Sequence, residues 1–253
     1  NELKLFYLLD RAKNYSDYVK ACSYLKSPGQ NVVFACKHGD IAMRTAGRFP
    51  AKWYGQGDFV MPGFDSSYLW KSNIPDDEMP FEHNPLRGFV SSANQQPVLN
   101  EYPYYLGRDY PSIRGYYLNQ QLNMMDSVSV DDMKKLQSSN ISLMAVYGKK
   151  ILRNYSDSAH LNNEEISERN KLLNWDGVYL SNSEEATTYT IWWKQLYHNI
   201  YADEYTKAPA NIQWPWETNC MEALLRDSNY IFVDDATTQH RETLREMVSI
   251  SFK

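Results

Sequence analysis

The sequence predicts an α+β fold that is predominantly helical, with a few antiparallel strands near its start. Three observations carry that reading. Apolar residues recur at three- and four-residue spacings over several stretches, most of them after residue 110. The short β-branched and aromatic runs that read as strands lie before residue 94. The composition is that of an ordinary globular chain: 253 residues, 43% apolar and 23% charged, enough for one large domain or two small ones.

Residues 3–26 carry Leu5, Leu8, Ala12, Tyr15, Val19 and Cys22 on one stripe and predict a helix, stopped by Ser27-Pro28-Gly29-Gln30. Asn31-Val32-Val33-Phe34-Ala35-Cys36 is apolar on both faces and predicts a buried strand. His38-Gly39 turns the chain, and Asp40 to Thr45 returns as the second strand of a hairpin. Residues 46–87 have no period and hold Gly47, Pro50, Gly55, Gly57, Pro62, Gly63, Pro75, Pro80 and Pro85. A connection this long predicts a functional segment or one that packs against other parts of the protein. Gly88 to Ala93 predicts another strand, ending at Asn94.

The remainder reads as helices. Pro111 suits a first helical position, with a helix through Arg114 to Leu122. Ser129-Val130-Asp131-Asp132 is a capping-box analogue that opens a helix to about Gln137. Residues 140–153 form the next. Another opens at Asn163-Glu164-Glu165, where acids complement the helix dipole, and closes at Trp175-Asp176-Gly177, with Gly177 as the residue beyond the cap. Ala186, Tyr189, Trp193, Leu196 and Ile200 mark the clearest late helix, and the stretch from about Thr238 is helical to Lys253. The expected organisation is a partial sheet region over 1–110 and a helical region over 111–253. The chain opens on Asn1 rather than Met and closes within a helical pattern, so a piece of a longer protein is expected. No internal repeat or low-complexity segment is present.

Charge and cysteine content narrow the function classes. Lys+Arg is 26 and Asp+Glu is 31, a net charge of −5, which argues against a general nucleic-acid binder. No apolar run approaches the roughly 18 residues a membrane span needs, and no signal-like segment opens the chain. The three cysteines, Cys22, Cys36 and Cys220, form no CxxC pair, so neither a disulfide framework nor a structural zinc site is expected. Aromatics reach 14%, with 20 Tyr and 7 Trp. Such rings suit packed helices with polar-tipped interfaces, or a sugar-binding face.

No self-sufficient catalytic motif is present: no G-x-S-x-G, P-loop, H-E-x-x-H or dinucleotide fingerprint. Cys36 and His38 are candidates for a thiol and its base, but a buried structural thiol beside a turn histidine is the commoner outcome. Asp76, Asp77 and Glu78 are candidates for a cation site, against the commoner solvated acidic turn. The Tyr and Trp residues at helical spacing are more often core than ligand-binding.

One ordered set of short motifs goes further. It runs through Asn31-Val32-Val33-Phe34-Ala35, Gly39-Asp40-Ile41-Ala42, Ala46-Gly47-Arg48-Phe49-Pro50, Pro62-Gly63 and Trp70. It continues through Ile74-Pro75, Met79-Pro80, Asn84-Pro85-Leu86-Arg87-Gly88-Phe89-Val90 and Ser92-Ala93-Asn94, and closes at Arg114 and Leu136-Gln137. Leu173 with Trp175-Asp176-Gly177 fits further on. The set resembles the β-subunit of the penicillin acylase (penicillin amidase) family of N-terminal-nucleophile hydrolases.

The resemblance implies that the strands belong to an αββα sandwich, and that the parent is a self-cleaving precursor that hydrolyses N-acyl (linear amide) bonds. Cleavage exposes a Ser at the start of the β-chain, with its own α-amino group, of pKa about 7.7–8.0, as base. That nucleophile is absent from this chain, which is therefore expected to be inactive alone. Asn94 matches the family Asn whose amide donates to the oxyanion, and Arg114 the family Arg that organises the site. The implied partners are an α-subunit, the remainder of the β-subunit and a small N-acyl amide substrate. The implied location is periplasmic or otherwise extracytoplasmic. Cys36 stands where the family usually has Asp. Many members bind a structural calcium. One family ligand would fall after Asn94, where Tyr104-Tyr105-Leu106 offers no aligned carboxylate, so no calcium or other metal ligand is assigned here. Strands without their sheet neighbours leave edges uncovered, so self-association or partial disorder over 46–87 is expected. The alternative reading is a non-catalytic acylase-like module that binds a glycan or acyl ligand through an aromatic-rich surface.

Overall fold

In the computed structural model, which describes residues 2–98, 101–108, 110 and 113–253, the stretch 3–26 folds as two helices rather than one. α1 spans Leu3–Leu9 and α2 spans Tyr15–Cys22. The break is local chemistry. The Asn14 side chain accepts from the Asp17 N–H at 2.9 Å, and the Lys13 N–H donates to Asp17 Oδ2 at 3.0 Å. This reciprocal cap outcompetes helix continuation. The two helices still share the predicted apolar stripe. Leu5, Tyr18, Ala21, Cys22, Leu25, Ala42 and Ala46 form one core, with Leu8, Tyr15, Val19, Val32 and Phe34 packed against it.

β1 (Gln30–Ala35) and β2 (Ile41–Ala46) form the predicted antiparallel hairpin, and β3 (Phe81–His83) adds to the far side of β2. The β1 strand was expected to be buried; it is the sheet edge, and Val33 is 56% exposed. Burial falls on β2, which is paired on both sides and keeps Ala42, Met43, Thr45 and Ala46 from solvent. The stretch 46–87 is not wholly a loop, since it contains β3. It is also tied internally, by the Ala51 N–H to Ser72 O, the Ile74 N–H to Phe49 O and the buried Gln56 amide to Tyr68 O, each at 2.9 Å. Residues 88–93 are not a strand. Their polar groups are taken up by side chains of Asn31, Gln95 and Asn119 instead of a ladder. α3 follows at Ile113–Met124; Pro111 lies outside the described residues. These elements make up a first compact unit, Asn1–Val128.

A second unit, Ser129–Lys253, is helical. It holds α4 (Val130–Gln137), α5 (Leu143–Tyr155), α6 (Asn163–Asn174), α7 (Glu184–Tyr205), α8 (Glu217–Arg226) and α9 (Leu244–Ser251). The capping box at Ser129 and Asp132 forms as read, and others form at Asn162 with Glu165 and at Thr243 with Glu246. α7 runs through the core with Ala186, Tyr189, Trp192, Trp193, Leu196, Ile200 and Tyr201 buried. Around it pack Ile151 and Leu152 of α5, Leu172 of α6, Met221 and Leu224 of α8, and Leu244 and Val248 of α9. Most of the tryptophans lie in this unit. Polar tips of its rings find partners: Tyr189 Oη donates to Met144 O at 2.5 Å, Trp193 Nε1 to Glu217 Oε2 at 2.7 Å, and Tyr197 Oη to Pro215 O at 2.5 Å. Gly177 is not the residue beyond the α6 cap. Trp175 takes the cap in an extended conformation, and Gly177, at φ +89°, offers its carbonyl to the Ser142 N–H at 3.0 Å. The final helix starts at Leu244 rather than 238, because Thr238 is engaged by His240 O and Glu242 in a turn.

Candidate active site

A cavity of about 500 Å³ opens in the first unit, lined by Asn31, Val33, Phe49, Ser92, Asn94 and Leu106 among others. The hairpin builds one wall. Asn31 of β1 stands directly opposite Thr45 of β2, and Thr45 Oγ1 donates to Asn31 Oδ1 at 2.7 Å. The other end of the Asn31 amide donates to Ser92 Oγ at 2.8 Å. One carboxamide thus fastens the 88–95 segment to the sheet. Phe49 follows the end of β2, and its ring lies against Gly29; a Cβ at Gly29 would stand 2.4 Å from ring Cζ.

Asn94 sits at the rim of this cavity with φ +65°. Asparagine is one of the few side-chain-bearing residues that tolerates this left-handed region. Asn94 is exposed, and its side-chain amide has no hydrogen-bond partner among the described residues. The lining contains no Asp, Glu, Lys, Arg, His or Cys among the described residues. Its ionisable member is Tyr110, whose phenol donates to Leu106 O at 3.2 Å and is pushed up by burial. Among the described residues the lining is thus uncharged, with an apolar side and a side of amide and hydroxyl groups.

Arg114 lies in the first turn of α3, exposed and outside the residues that line the cavity. It adjoins Gly115, against which Gln95 packs. Cys36 and His38 are not brought together. The Cys36 thiol faces Asp40 Oδ2 at 3.9 Å, and His38 is exposed in the turn. Asp40 in turn takes the Asn84 amide at 2.8 Å, which holds its carboxyl below the usual range, and lies 3.5 Å from His83. Burial pushes the Cys22 thiol up to about 11 and Cys220 up to about 12, so neither offers a thiolate. The acidic turn is engaged by protein groups: Lys26 pairs with Asp76 at 3.5 Å, and Glu78 accepts from the Tyr104 hydroxyl. Among the described residues no group of three or more His, Cys, Asp or Glu is placed to hold a metal ion, and no helix is long and apolar enough to cross a membrane.

Sequence reading missed Asn31, Thr45, Ser92, Phe49 and Gln95 as site builders. A signal for the first pair existed: a hairpin centred on His38 places Asn31 and Thr45 at equal distances from the turn. Side-chain clamps such as that of Gln95 leave no spacing signature.

The fold is a small antiparallel sheet and a set of helices, with a cavity beside the sheet. The comparisons identify the family. The penicillin amidase family model matches residues 1–253, and the chain belongs to that family. It is 26% identical over 167 residues to penicillin acylase 2 proenzyme of Pseudomonas sp. strain SE83, covering 66% of this chain and 21% of the relative. It is 25% identical over 215 residues to the acyl-homoserine lactone acylase QuiP of Pseudomonas aeruginosa, covering 79% of this chain and 25% of the relative. In fold it matches the thermostable penicillin G acylase from Alcaligenes faecalis with a TM-score of 0.72 at 17% identity, over 99% of this chain and 50% of that one. The chain thus spans about a fifth to a quarter of these curated relatives and half of the solved chain.

Proposed function

We propose that this chain is part of a penicillin acylase-like amidohydrolase that cleaves N-acyl amide bonds through an N-terminal Ser acyl-enzyme, with Asn94 as the oxyanion donor. The nucleophile comes from a segment outside this chain, and this chain alone is inactive. Arg114 organises the site from the start of α3. The partners are an α-subunit and the rest of the β-subunit, produced from one precursor and exported from the cytoplasm. The observation that supports the reading is Asn94: its position resembles that of the family motif, its backbone is left-handed, and it lines a cavity whose described lining is uncharged. One such donor is worth about 3–4 kcal/mol in the transition state of well-studied hydrolases.

N-terminal sequencing and intact mass of the whole protein, with an N-acyl amide assay, test the proposal. Two chains, the second beginning at Ser, with amide turnover are expected. A single uncleaved, correctly folded and inactive chain would overturn it.

A second reading rests on a different observation. Between residues 53 and 70 Trp53, Tyr54, Phe64 and Trp70 are 45%, 75%, 94% and 68% exposed. Such rings favour a non-catalytic module that binds glycans or acyl chains. Binding of either in a screen, without turnover by the whole protein, selects that reading.

A further inference from the structure

Asn94 carries the proposed chemistry, but nothing on its own side chain holds it in place. The restraint comes from its neighbour. Gln95 Oε1 accepts from the Ala93 N–H at 2.6 Å, and Gln95 Nε2 donates to Ser91 O at 3.2 Å. The Gln95 carboxamide therefore ties the residue after Asn94 back to two residues before it. The clamp is seated on a helix: a Cβ at Gly115 of α3 would stand 2.8 Å from both Cβ and Oε1 of Gln95. Only a residue without a side chain leaves room for Gln95 there. A second tie on the same helix fixes the loop start, with Ser91 Oγ donating to Asn119 Oδ1 at 2.9 Å and Asn119 Nδ2 to Gly115 O at 2.7 Å.

We propose that Gln95 is a positioning residue for the amide-cleaving reaction: its clamp on Ser91 and Ala93, seated on Gly115, sets the backbone that turns the Asn94 amide into the cavity. This rests on the oxyanion role given to Asn94 above. The physical reason is that an oxyanion donor must sit about 2.7–3.1 Å from the developing charge, and a misplacement near 1 Å costs on the order of 10²-fold in rate. Both Gln95 amide groups are engaged by the loop backbone, so the clamp acts through the placement of Asn94.

The test uses the whole protein and an N-acyl p-nitroanilide. Gln95→Met keeps the bulk and removes both hydrogen bonds. Gly115→Ala keeps the glutamine and displaces it, while substituting a better helix former. Each is expected to lower kcat, taken per folded molecule, by about tenfold or more and to leave KM within about twofold; the folded fraction is measured for each variant, because unfolded protein lowers apparent kcat without moving KM. Melting temperatures are read alongside, and if Gln95→Met does not fold, Gly115→Ala decides. Retention of kcat by the folded variants, while Asn94→Gly loses it, overturns the clamp alone. Retention of kcat by Asn94→Gly overturns the oxyanion reading, and the clamp proposal with it.

Discussion

Asn94 combines two properties that rarely coincide, a left-handed backbone at φ +65° and a side-chain amide with no partner among the described residues. Glycine accepts that backbone without strain, so Asn94→Gly removes the donor and leaves the loop. We expect kcat to fall by about 10²–10³-fold with the melting temperature unchanged, read by steady-state kinetics and thermal melts. Asn94 is a candidate from the sequence because it stands within an ordered motif set. Gln95 and Asn31 are not, because their roles are side-chain hydrogen bonds to groups whose proximity is created by the fold. Cys36 shows the reverse: its spacing to His38 was legible, yet the three-residue turn leaves the histidine in solvent and gives the thiol Asp40 as its neighbour.

At the scale of elements, the helices of the second unit were read from periodicity and caps, and α4 spans Val130–Gln137 as its cap residues indicated. α8 was passed over, although Glu217 in its first turn and the Cys220, Met221 and Leu224 stripe were available. Ten residues give a weak period, and a helix this short is held by packing rather than propensity. α5 and α7 show what that packing demands. Gly148 lies under Tyr189, and a Cβ there would stand 2.4 Å from Tyr189 Oη and 2.7 Å from its Cε2. Gly148→Ala gains helix propensity but drives the ring out of place and strains the Tyr189 bond to Met144 O. A net destabilisation of about 1–3 kcal/mol is expected, measured by denaturant unfolding. A stabilised variant would contradict this packing. The segment 88–93 erred in the other direction. Its composition is that of a strand, but β-propensity is realised only with an edge to pair with.

For the molecule as a whole, pH resistance is set by carboxyl groups pulled in opposite directions. Glu204, in the last turn of α7, is raised to about 7 by burial and by the Asp203 carboxylate beside it, with Asp235 adding to the repulsion. Asp203 Oδ1 and Glu204 Oε2 are buried without partners, and one shared proton satisfies both. Asp203 Oδ2 also anchors the Ala236 N–H at 2.7 Å. Between the ordinary value of 4.5 and about 7 the folded chain holds a proton that the unfolded chain has released. Stability from this group therefore falls as pH rises through that window. Glu246 is held down to about 2 by Thr243 and His240. Its contribution is present above its ordinary value of 4.5 and is lost as pH falls toward 2. Melting temperatures at pH 5 and pH 8 test the first effect. The wild type should lose more on going to pH 8 than Glu204→Gln, whose amide donates to Asp203 without titrating. Equal losses would remove Glu204 from the account.

The sequence by itself determined the fold class, most of the helices of the second unit, the hairpin that turns at His38-Gly39 and the family resemblance. Each of these rests on local information: periodicity, capping residues, turn chemistry or an ordered motif. The tertiary structure alone decided that β1 is an edge, that 88–93 is a clamped loop, and that Asn31, Thr45 and Gln95 line the same cavity as Asn94. Those outcomes depend on which groups far apart in the chain meet, and burial and hydrogen-bond satisfaction are settled only when they do.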